Sequence, residues 1–300
     1  MVFSKRDRLF VDRMATFITS IEAKTCRQQH FYIRPNGRKV DNVTVLEHVF
    51  ILLQGGTPWS FMDWVTRPQG FHYQTIYKRF TNWVKLGILE KAWEEIISRY
   101  VHSRLSKNAT HFRHLYIDTT TVKNIGGVDC VGKNPTDRGR LGSKISAIVD
   151  DDKVSVSKPV PYGANRADVA TVEDTFNSIT CNLMPDRRRV MKLAADKAYR
   201  SEALFQRMIR RRVRMVSEPK RNEVNPRPLR PQDRSMYKKR VRIEHYFGIS
   251  KKCRRLRNRF DRFIDQYVGF WYVSNIRRTI NVLSDKLSDI EFTDLMLLSD

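Results

Sequence analysis

The chain has 300 residues, enough for about two domains, and its 41% hydrophobic content excludes wholesale disorder. Its 56 Lys and Arg against 32 Asp and Glu give a net charge of +24, which indicates a polyanionic partner, nucleic acid before an anionic membrane. The longest apolar run, residues 49–53, is too short to span a bilayer, and no secretory signal or cysteine framework is recognisable. We therefore expect an intracellular protein.

Residues 1–105 have the pattern of short helices separated by tight turns. Four predicted helices follow one another: from Asn42 or Thr44 to Gly55, from Thr57-Pro58, from Thr75 to Leu86, and over residues 88–105. Short helices with basic exposed faces are typical of a helix-turn-helix-like DNA-binding domain, and equally of an ordinary helical bundle. The pattern does not separate these two possibilities.

Near residue 110 the hydrophobic period changes to that of strands. The predicted order is β-β-β-α-β-α-β-α, which indicates an α/β layer. Its strands are 114–122, 143–149, 153–160, 190–195 and 213–217, and its helices are 169–179, 200–212 and 234–262. A last predicted helix, 266–283, follows this order. Asp150, Asp151 and Asp152 join the second and third strands, and we favour a hairpin turn over a metal site for them.

Three carboxylates stand out by their positions. Asp118 interrupts an apolar strand, where an unpaired charge is costly, and Asp196 ends a second one, where ligand sites of α/β sheets gather. Glu244 lies on the predicted helix 234–262 in a row of cations with Tyr237, Arg240, Lys251 and Arg255. Each could instead be a cap or an ion pair. Taken together they form an oxygen-only set that suits Mg²⁺ or Mn²⁺, and two such ions support in-line attack at a phosphodiester.

The residues resemble a known family at this point. The order of elements with Asp, Asp and Glu resembles the RNase H-like core of DDE transposases. The spacing Tyr237-x2-Arg240-x3-Glu244-x6-Lys251 is similar to the third-carboxylate signature of bacterial transposases of the "insertion sequence four" and "insertion sequence five" groups, closest to the latter. Further similar segments are 116–120, 195–199, Gly142-Ser143-Lys144 and 55–59.

The resemblance implies a helical domain over 1–105 that binds the element ends, a catalytic domain over 110–284, and an acidic tail over 285–300. It implies metal-dependent strand cleavage followed by strand transfer, with Asp118 bridging two Mg²⁺ or Mn²⁺ ions that Asp196 and Glu244 also hold. Tyr237, Arg240, Lys251 and Arg255 would bind the DNA backbone. The implied partners are the terminal inverted repeats, target DNA and a second copy of the chain, in the cytoplasm with the nucleoid.

Two other functions fit part of the pattern. A transposase-derived DNA-binding protein without catalysis would keep the charge and the fold but would not need the three carboxylates. An RNase H-like nuclease would need the carboxylates but not a separate helical module. A role at a membrane surface is disfavoured, because the basic helix lacks a broad apolar face.

Overall fold

The structure is a computed structural model that describes residues 3–28, 40–184, 186, 189–223, 226 and 228–297. The helices are α1 (Lys5–Gln28), α2 (Asn42–Gly55), α3 (Asp63–Thr66), α4 (Tyr73–Lys85), α5 (Ile88–Lys107), α6 (Val172–Asn177), α7 (Glu202–Arg210), α8 (Pro231–Lys238), α9 (Val241–Ser250), α10 (Arg254–Arg257), α11 (Ile264–Lys286) and α12 (Asp289–Leu297). The strands are β1 (His114–Asn124), β2 (Gly132–Lys133), β3 (Leu141–Val149), β4 (Val160–Gly163), β5 (Met191–Ala194), β6 (Val213–Val216) and β7 (Asn258–Arg259). Within this part of the chain, no helix combines the length and apolar content that crossing a membrane requires.

The chain forms two compact units. One contains residues 1–99 and 251–300, and the other contains residues 100–250. This division differs from the predicted domains, because the segment 251–284 groups with the N-terminal helices rather than with the strands. The predicted acidic tail is also helical where it is described: α12 buries Phe292, Leu295 and Met296.

The unit 100–250 is built on a mixed sheet with flanking helices. The strand order is β2-β3-β1-β5-β6, and β4 is a further strand that also pairs with β3. β3 runs antiparallel to β1, whereas β5 is parallel to both β1 and β6. The centre of the sheet is therefore β1, between β3 and β5. Because β5 pairs only with the first residues of β1, up to Tyr116, the residues that follow β5 lie beside the middle of β1.

The predicted second strand of the hairpin is only partly formed. Residues 150–153 make the expected turn, in which Asp150 Oδ1 accepts hydrogen bonds from the backbone N–H groups of Asp152 and Val154. After this turn only Ser155 makes an isolated bridge to Val149, and regular pairing with β3 begins at Val160. The apolar alternation of 153–160 reflects burial of Val154 and Val156 rather than a continuous strand.

The predicted single helix over 234–262 is wrong: the segment contains α8, α9, α10 and β7. At the α8–α9 junction the backbone hydrogen bonds span three residues instead of four, as in the bond from the Ile243 N–H to the Arg240 carbonyl. Asp233 ties α8 to β5 and β6 through Lys192 and Arg214, whereas the apolar side of α9 lies against β1 and β3. One straight helix could not satisfy both attachments.

The helical unit is organised around buried aromatic rings. Trp59 lies against Phe80 and Phe270, with ring centroids 5.5 and 5.9 Å apart. α2 is capped by Asp41, which accepts a hydrogen bond from the Thr44 N–H at 2.8 Å, rather than by Asn42 or Thr44. Gly56 caps the end of the helix with a φ of 66°, the left-handed region that favours glycine, and a Cβ atom added there would lie only 3.0 Å from the Cβ of Arg254.

Arg255 is a structural residue of this unit, which corrects its predicted role as a DNA contact. Its side chain is 2% exposed, donates to Asp261 at 2.6 Å and to the Thr57 carbonyl at 2.8 Å, and lies over the Trp59 and Phe270 rings. A DNA phosphate could reach this guanidinium only after these contacts were broken. A run of basic residues does not reveal which member is buried.

Candidate active site

Asp118 lies in β1 at the centre of the sheet. Its Oδ1 accepts hydrogen bonds from the Thr119 N–H at 2.8 Å and from the Tyr199 hydroxyl at 3.3 Å. Burial raises the pKa of Asp118 to about 6, against the lowering effects of the Thr119 N–H and Arg240. The carboxylate is thus held in one orientation and would gain from a cation beside it.

Asp196 lies level with Asp118 on the neighbouring strand. β1 and β5 are parallel and pair Tyr116 with Ala194, and each aspartate lies two residues beyond that pair. Asp196 lies two residues after the end of β5, in an extended conformation, and precedes a 3₁₀ turn over Lys197–Tyr199. The Ser217 hydroxyl donates a hydrogen bond to the backbone carbonyl of Asp196 at 2.9 Å and so fixes the backbone at Asp196.

Glu244 and Arg240 complete the group from the segment that joins α8 to α9. Glu244 is in the first turn of α9, and its Oε1 lies 3.0 Å from Arg240 Nη2. The same guanidinium lies 4.0 Å from Asp118 Oδ2 and 4.0 Å from Asp196 Oδ1. The structure therefore brings all three sequence-predicted carboxylates together around one arginine.

The charges of these side chains influence one another. Burial alone would lower the pKa of Arg240, but Glu244, Asp196 and Asp118 outweigh it and raise this pKa above its usual value. Three carboxylates and one guanidinium leave an excess of negative charge. Their donor atoms are oxygens only, a set that fits a hard divalent cation such as Mg²⁺ or Mn²⁺.

Tyr237 and Lys251 are the remaining predicted DNA contacts. Tyr237 lies next to Arg240, whereas Lys251 belongs to the unit formed by residues 1–99 and 251–300. The Tyr237 ring on α8 is 6.0 Å from the Arg240 guanidinium, and burial raises the pKa of the Tyr237 hydroxyl. Lys251 follows the end of α9, and burial together with Arg257 lowers its pKa. The four residues of the spacing motif are thus not carried by one helix.

A fourth carboxylate, Asp168, was missed as a site residue by the sequence analysis. Its Oδ1 accepts hydrogen bonds from the Thr119 hydroxyl at 2.7 Å and from Lys144 Nζ at 2.6 Å. Its negative charge raises the pKa of Asp118. The available signal was Lys144 in the segment Gly142-Ser143-Lys144, but its partner lies 24 residues away and no local pattern connects the two.

Another acidic cluster is made of two aspartates from the turn after β3 and of His111 from the short 3₁₀ turn before β1. Among the described residues, His111, Asp150 and Asp152 are the one group of potential ligands whose atoms all lie within 4.8 Å of one another. The Tyr100 hydroxyl donates to both aspartates, and Arg104 pairs with Asp152 at 3.1 Å. These protein partners already satisfy the carboxylates, so the cluster anchors the hairpin turn, as the sequence predicted for these aspartates.

Tyr199 offers a specific test of how Asp118 is held. Replacing Tyr199 with Phe removes the hydroxyl that donates to Asp118 and keeps the buried ring. We expect the DNA strand cleavage that the family resemblance implies to slow by about tenfold, the equivalent of one lost hydrogen bond to a charged group, with a small change in stability. Single-turnover cleavage and thermal unfolding measure the two effects. A variant with wild-type cleavage would show that Tyr199 does not orient the carboxylate.

Comparison with known proteins identifies a protein family that matches this chain. A family model described as "Transposase DDE domain" matches residues 110–274, more than half of the chain. Two solved structures are similar to this chain, and each similarity covers 96% of it. The first is a piggyBac transposase synaptic complex with hairpin DNA; it is 12% identical, 79% of its chain is covered, and the TM-score is 0.46. The second is the Mos1 strand transfer complex; it is 11% identical, 99% of its chain is covered, and the TM-score is 0.27. Neither TM-score reaches 0.5, so these two likenesses establish no shared fold. No curated protein sequence matches the chain.

The matched region contains Asp118, Asp196, Arg240 and Glu244, the group that the fold brings together beside β1. DDE transposases are nucleases that use divalent metal ions. The chain therefore belongs to the transposase DDE-domain family, and its function is DNA transposition by strand cleavage and strand transfer.

Proposed function

We propose that the protein is the transposase of a bacterial insertion sequence of the "four" or "five" group, with an RNase H-like catalytic core in the unit 100–250. It would cut DNA at the ends of its element and join them to target DNA. The observation that carries this proposal is the convergence of Asp118, Asp196 and Glu244 on Arg240 within the matched family region.

The three carboxylates would be both the catalytic residues and the metal ligands. Asp118, Asp196 and Glu244 would hold two Mg²⁺ or Mn²⁺ ions, which when bound activate the attacking oxygen and stabilise the leaving one. Their support is the oxygen-only donor set and the raised pKa of Asp118, which is the expected condition of a buried carboxylate without its cation. No serine or tyrosine nucleophile is needed.

The other side chains would position the reactants. The Thr119 N–H and the Tyr199 hydroxyl hold Asp118, and the Asp168–Lys144 pair holds the Thr119 hydroxyl. Tyr237, Arg240 and Lys251 would contact the DNA near the cut phosphate, since a guanidinium can grip a phosphate with two parallel hydrogen bonds. Arg255 is left out of this set because it is buried.

The test is cleavage of a labelled duplex that carries one end of the element and its flanking DNA. We expect a strand cut at the element end in Mg²⁺ or Mn²⁺ and none in EDTA, followed by joining of the new 3′-OH to target DNA. Tight binding without cutting in either metal would instead support a DNA-binding derivative of a transposase.

We further propose that α4 reads the element ends. The exposed residues of α4 fall within an arc of about 100° at 100° per residue: Gln74, Thr75, Lys78, Asn82 and Lys85. The opposite side buries Ile76, Phe80 and Trp83, and the helix contains no acidic residue. Amide, hydroxyl and amino groups on one exposed helix face are the types that read bases in the major groove and contact phosphates. This gives the predicted helix-turn-helix-like function a definite surface.

The DNA-binding surface of α4 is testable through its salt dependence. Replacing Lys78 and Lys85 with Ala removes two exposed cations, so we expect weaker DNA binding and a log–log salt slope reduced by about one for each lost phosphate contact. Lys24→Ala, on the exposed side of α1, is the matched control and should change the slope little. Fluorescence anisotropy from 50 to 200 mM salt, roughly the informative range, measures it; equal slopes for the wild type and the double variant would contradict the proposal.

The partners follow from the reaction. Two element ends have to be held together for transposition, so we expect a homodimer in the complex with DNA, and a protein bound to the chromosome would be found with the cytoplasmic nucleoid. Light scattering of the complex with a duplex of one element end would give the number of chains.

A further inference from the structure

Arg240 lies where a cation bound by the three carboxylates would be expected. Its Nη2 is 3.0 Å from Glu244 Oε1, and its two terminal nitrogens are each 4.0 Å from a carboxylate oxygen of Asp118 or Asp196. The Arg240 side chain is 21% exposed and all three of its carboxylate neighbours surround the guanidinium. In the protein without DNA, Arg240 therefore neutralises part of the charge of the site.

A divalent cation and this guanidinium compete for the same oxygens. Mg²⁺ requires oxygen ligands at about 2.1 Å, so the carboxylates would have to draw closer together than they are around Arg240. The three carboxylates are not among the groups whose ligand atoms lie within 4.8 Å of one another in the described residues. A cation at that position would also face the positive charge of Arg240 at short range, which is unfavourable in a half-buried site.

Arg240 has a second possible partner in the reaction. Its backbone lies at the junction of α8 and α9, between the two helices rather than inside one, and its guanidinium is 6.0 Å from the centre of the Tyr237 ring. A phosphodiester entering the site brings a negative charge that a guanidinium binds with two hydrogen bonds. If Arg240 paired with such a phosphate, the carboxylates of Asp118, Asp196 and Glu244 would be free to bind a metal ion.

We propose that Arg240 couples DNA binding to metal binding: in the DNA-free protein it occupies the carboxylate site and opposes metal binding, and a DNA phosphate draws it away. This rests on the proposed roles of Asp118, Asp196 and Glu244. The coupling is reciprocal, so DNA raises the affinity for metal by the same factor as metal raises the affinity for DNA. Metal ions are then recruited mainly where a substrate phosphate is already bound.

The first experiment measures Mn²⁺ binding to the full chain without DNA, by the electron paramagnetic resonance signal of free Mn²⁺. We expect Arg240→Gln to bind Mn²⁺ about tenfold more tightly than the wild type, within the usual range of coupling between two sites. Arg242→Gln is the matched control, because Arg242 is two residues away and pairs with Asp151 at 2.8 Å instead. It should bind Mn²⁺ as the wild type does.

The second experiment repeats the titration with a saturating duplex of one element end. DNA should tighten Mn²⁺ binding by the wild type by about tenfold and should have little effect on Arg240→Gln. Equal Mn²⁺ affinities of the wild type and Arg240→Gln without DNA would overturn the proposal, as would an equal effect of DNA on both.

A third variant separates this proposal from the assignment of the metal site. Glu244→Gln, added to Arg240→Gln, should abolish the tight Mn²⁺ binding. If Mn²⁺ bound equally well with and without Glu244, the metal site itself would be misassigned. If Glu244→Gln lost binding but Arg240→Gln gained none, the metal site would stand and the coupling by Arg240 would fall.

Discussion

Replacing Asp118 with Asn is expected to abolish DNA strand cleavage while DNA binding persists. The change removes the negative charge at the centre of the site but keeps an oxygen that can accept from the Thr119 N–H and the Tyr199 hydroxyl. We expect cleavage to fall by about a thousandfold or more, because each lost 1.36 kcal/mol of transition-state stabilisation is a factor of ten and a metal ligand contributes several kcal/mol. Single-turnover cleavage of the element-end duplex in Mg²⁺ measures this.

The same substitution is expected to leave the fold intact. Burial raises the pKa of Asp118 in the folded protein to about 6, above its usual value of 3.8. The free energy of unfolding therefore falls as the pH rises from the usual pKa to the raised one, because the ionised carboxylate is less stable in the folded protein than in the unfolded chain. At pH 7 the neutral Asn removes that cost, and the thermal unfolding midpoint without metal should be unchanged or higher. Loss of cleavage together with a lower midpoint would point to misfolding rather than to lost chemistry.

Asp137→Asn is the matched control. Asp137 is a half-exposed aspartate in the loop between β2 and β3, and its side chain makes a 4.0 Å ion pair with Arg140. We expect cleavage and DNA binding at wild-type levels. Wild-type cleavage by Asp118→Asn would mean that the catalytic carboxylates are not those around Arg240.

The largest loss of stability is expected from breaking the buried pair of Arg255 and Asp261. Both side chains are at most 2% exposed, and their atoms are 2.6 Å apart. Asp261→Asn leaves the buried guanidinium without its counter-charge, so we expect the free energy of unfolding to fall by about 3–5 kcal/mol. Urea denaturation followed by tryptophan fluorescence is suitable, because Trp59 lies against this arginine.

A second variant tests whether the pair is a structural pair or a source of charge for DNA. Arg255→Met with Asp261→Leu replaces the pair with apolar side chains and should recover a large part of the lost stability, since buried ion pairs are often replaceable in this way. Arg254→Ala, an exposed neighbour, should cost little. If Asp261→Asn unfolded like the wild type, the pair would contribute no stability to this unit.

Local patterns were enough to predict most of the sheet. The β-branched and aromatic run at β1, the short apolar runs at β5 and β6, and the capped helix α7 all appear near their predicted positions. Asp118 was singled out because a charge inside an apolar strand needs compensation, and Asp196 because it ends a second apolar stretch; the structure places both beside Arg240. Their roles as metal ligands stay predictions.

Features that depend on distant contacts could not be read from the sequence. The periodicity of residues 234–262 is compatible with one helix, and only the attachment of Asp233 to Lys192 and Arg214 explains why α8 takes its own direction. The burial of Arg255 depends on Asp261 and on the Trp59 ring. The part played by Asp168 depends on Lys144, which is far from it in the chain.

The helical unit is made from two separate stretches of chain, with the whole unit 100–250 inserted between them. During synthesis, the first helices therefore leave the ribosome well before α11 and α12, which complete their hydrophobic core. At about 5–20 residues per second the roughly 150 inserted residues take about 8–30 s to make. Contacts at such long sequence separation also form slowly. We therefore expect the unit with the sheet to fold while the helices proposed to bind DNA still lack part of their core, so that the proposed catalytic unit is complete before the proposed DNA-binding unit.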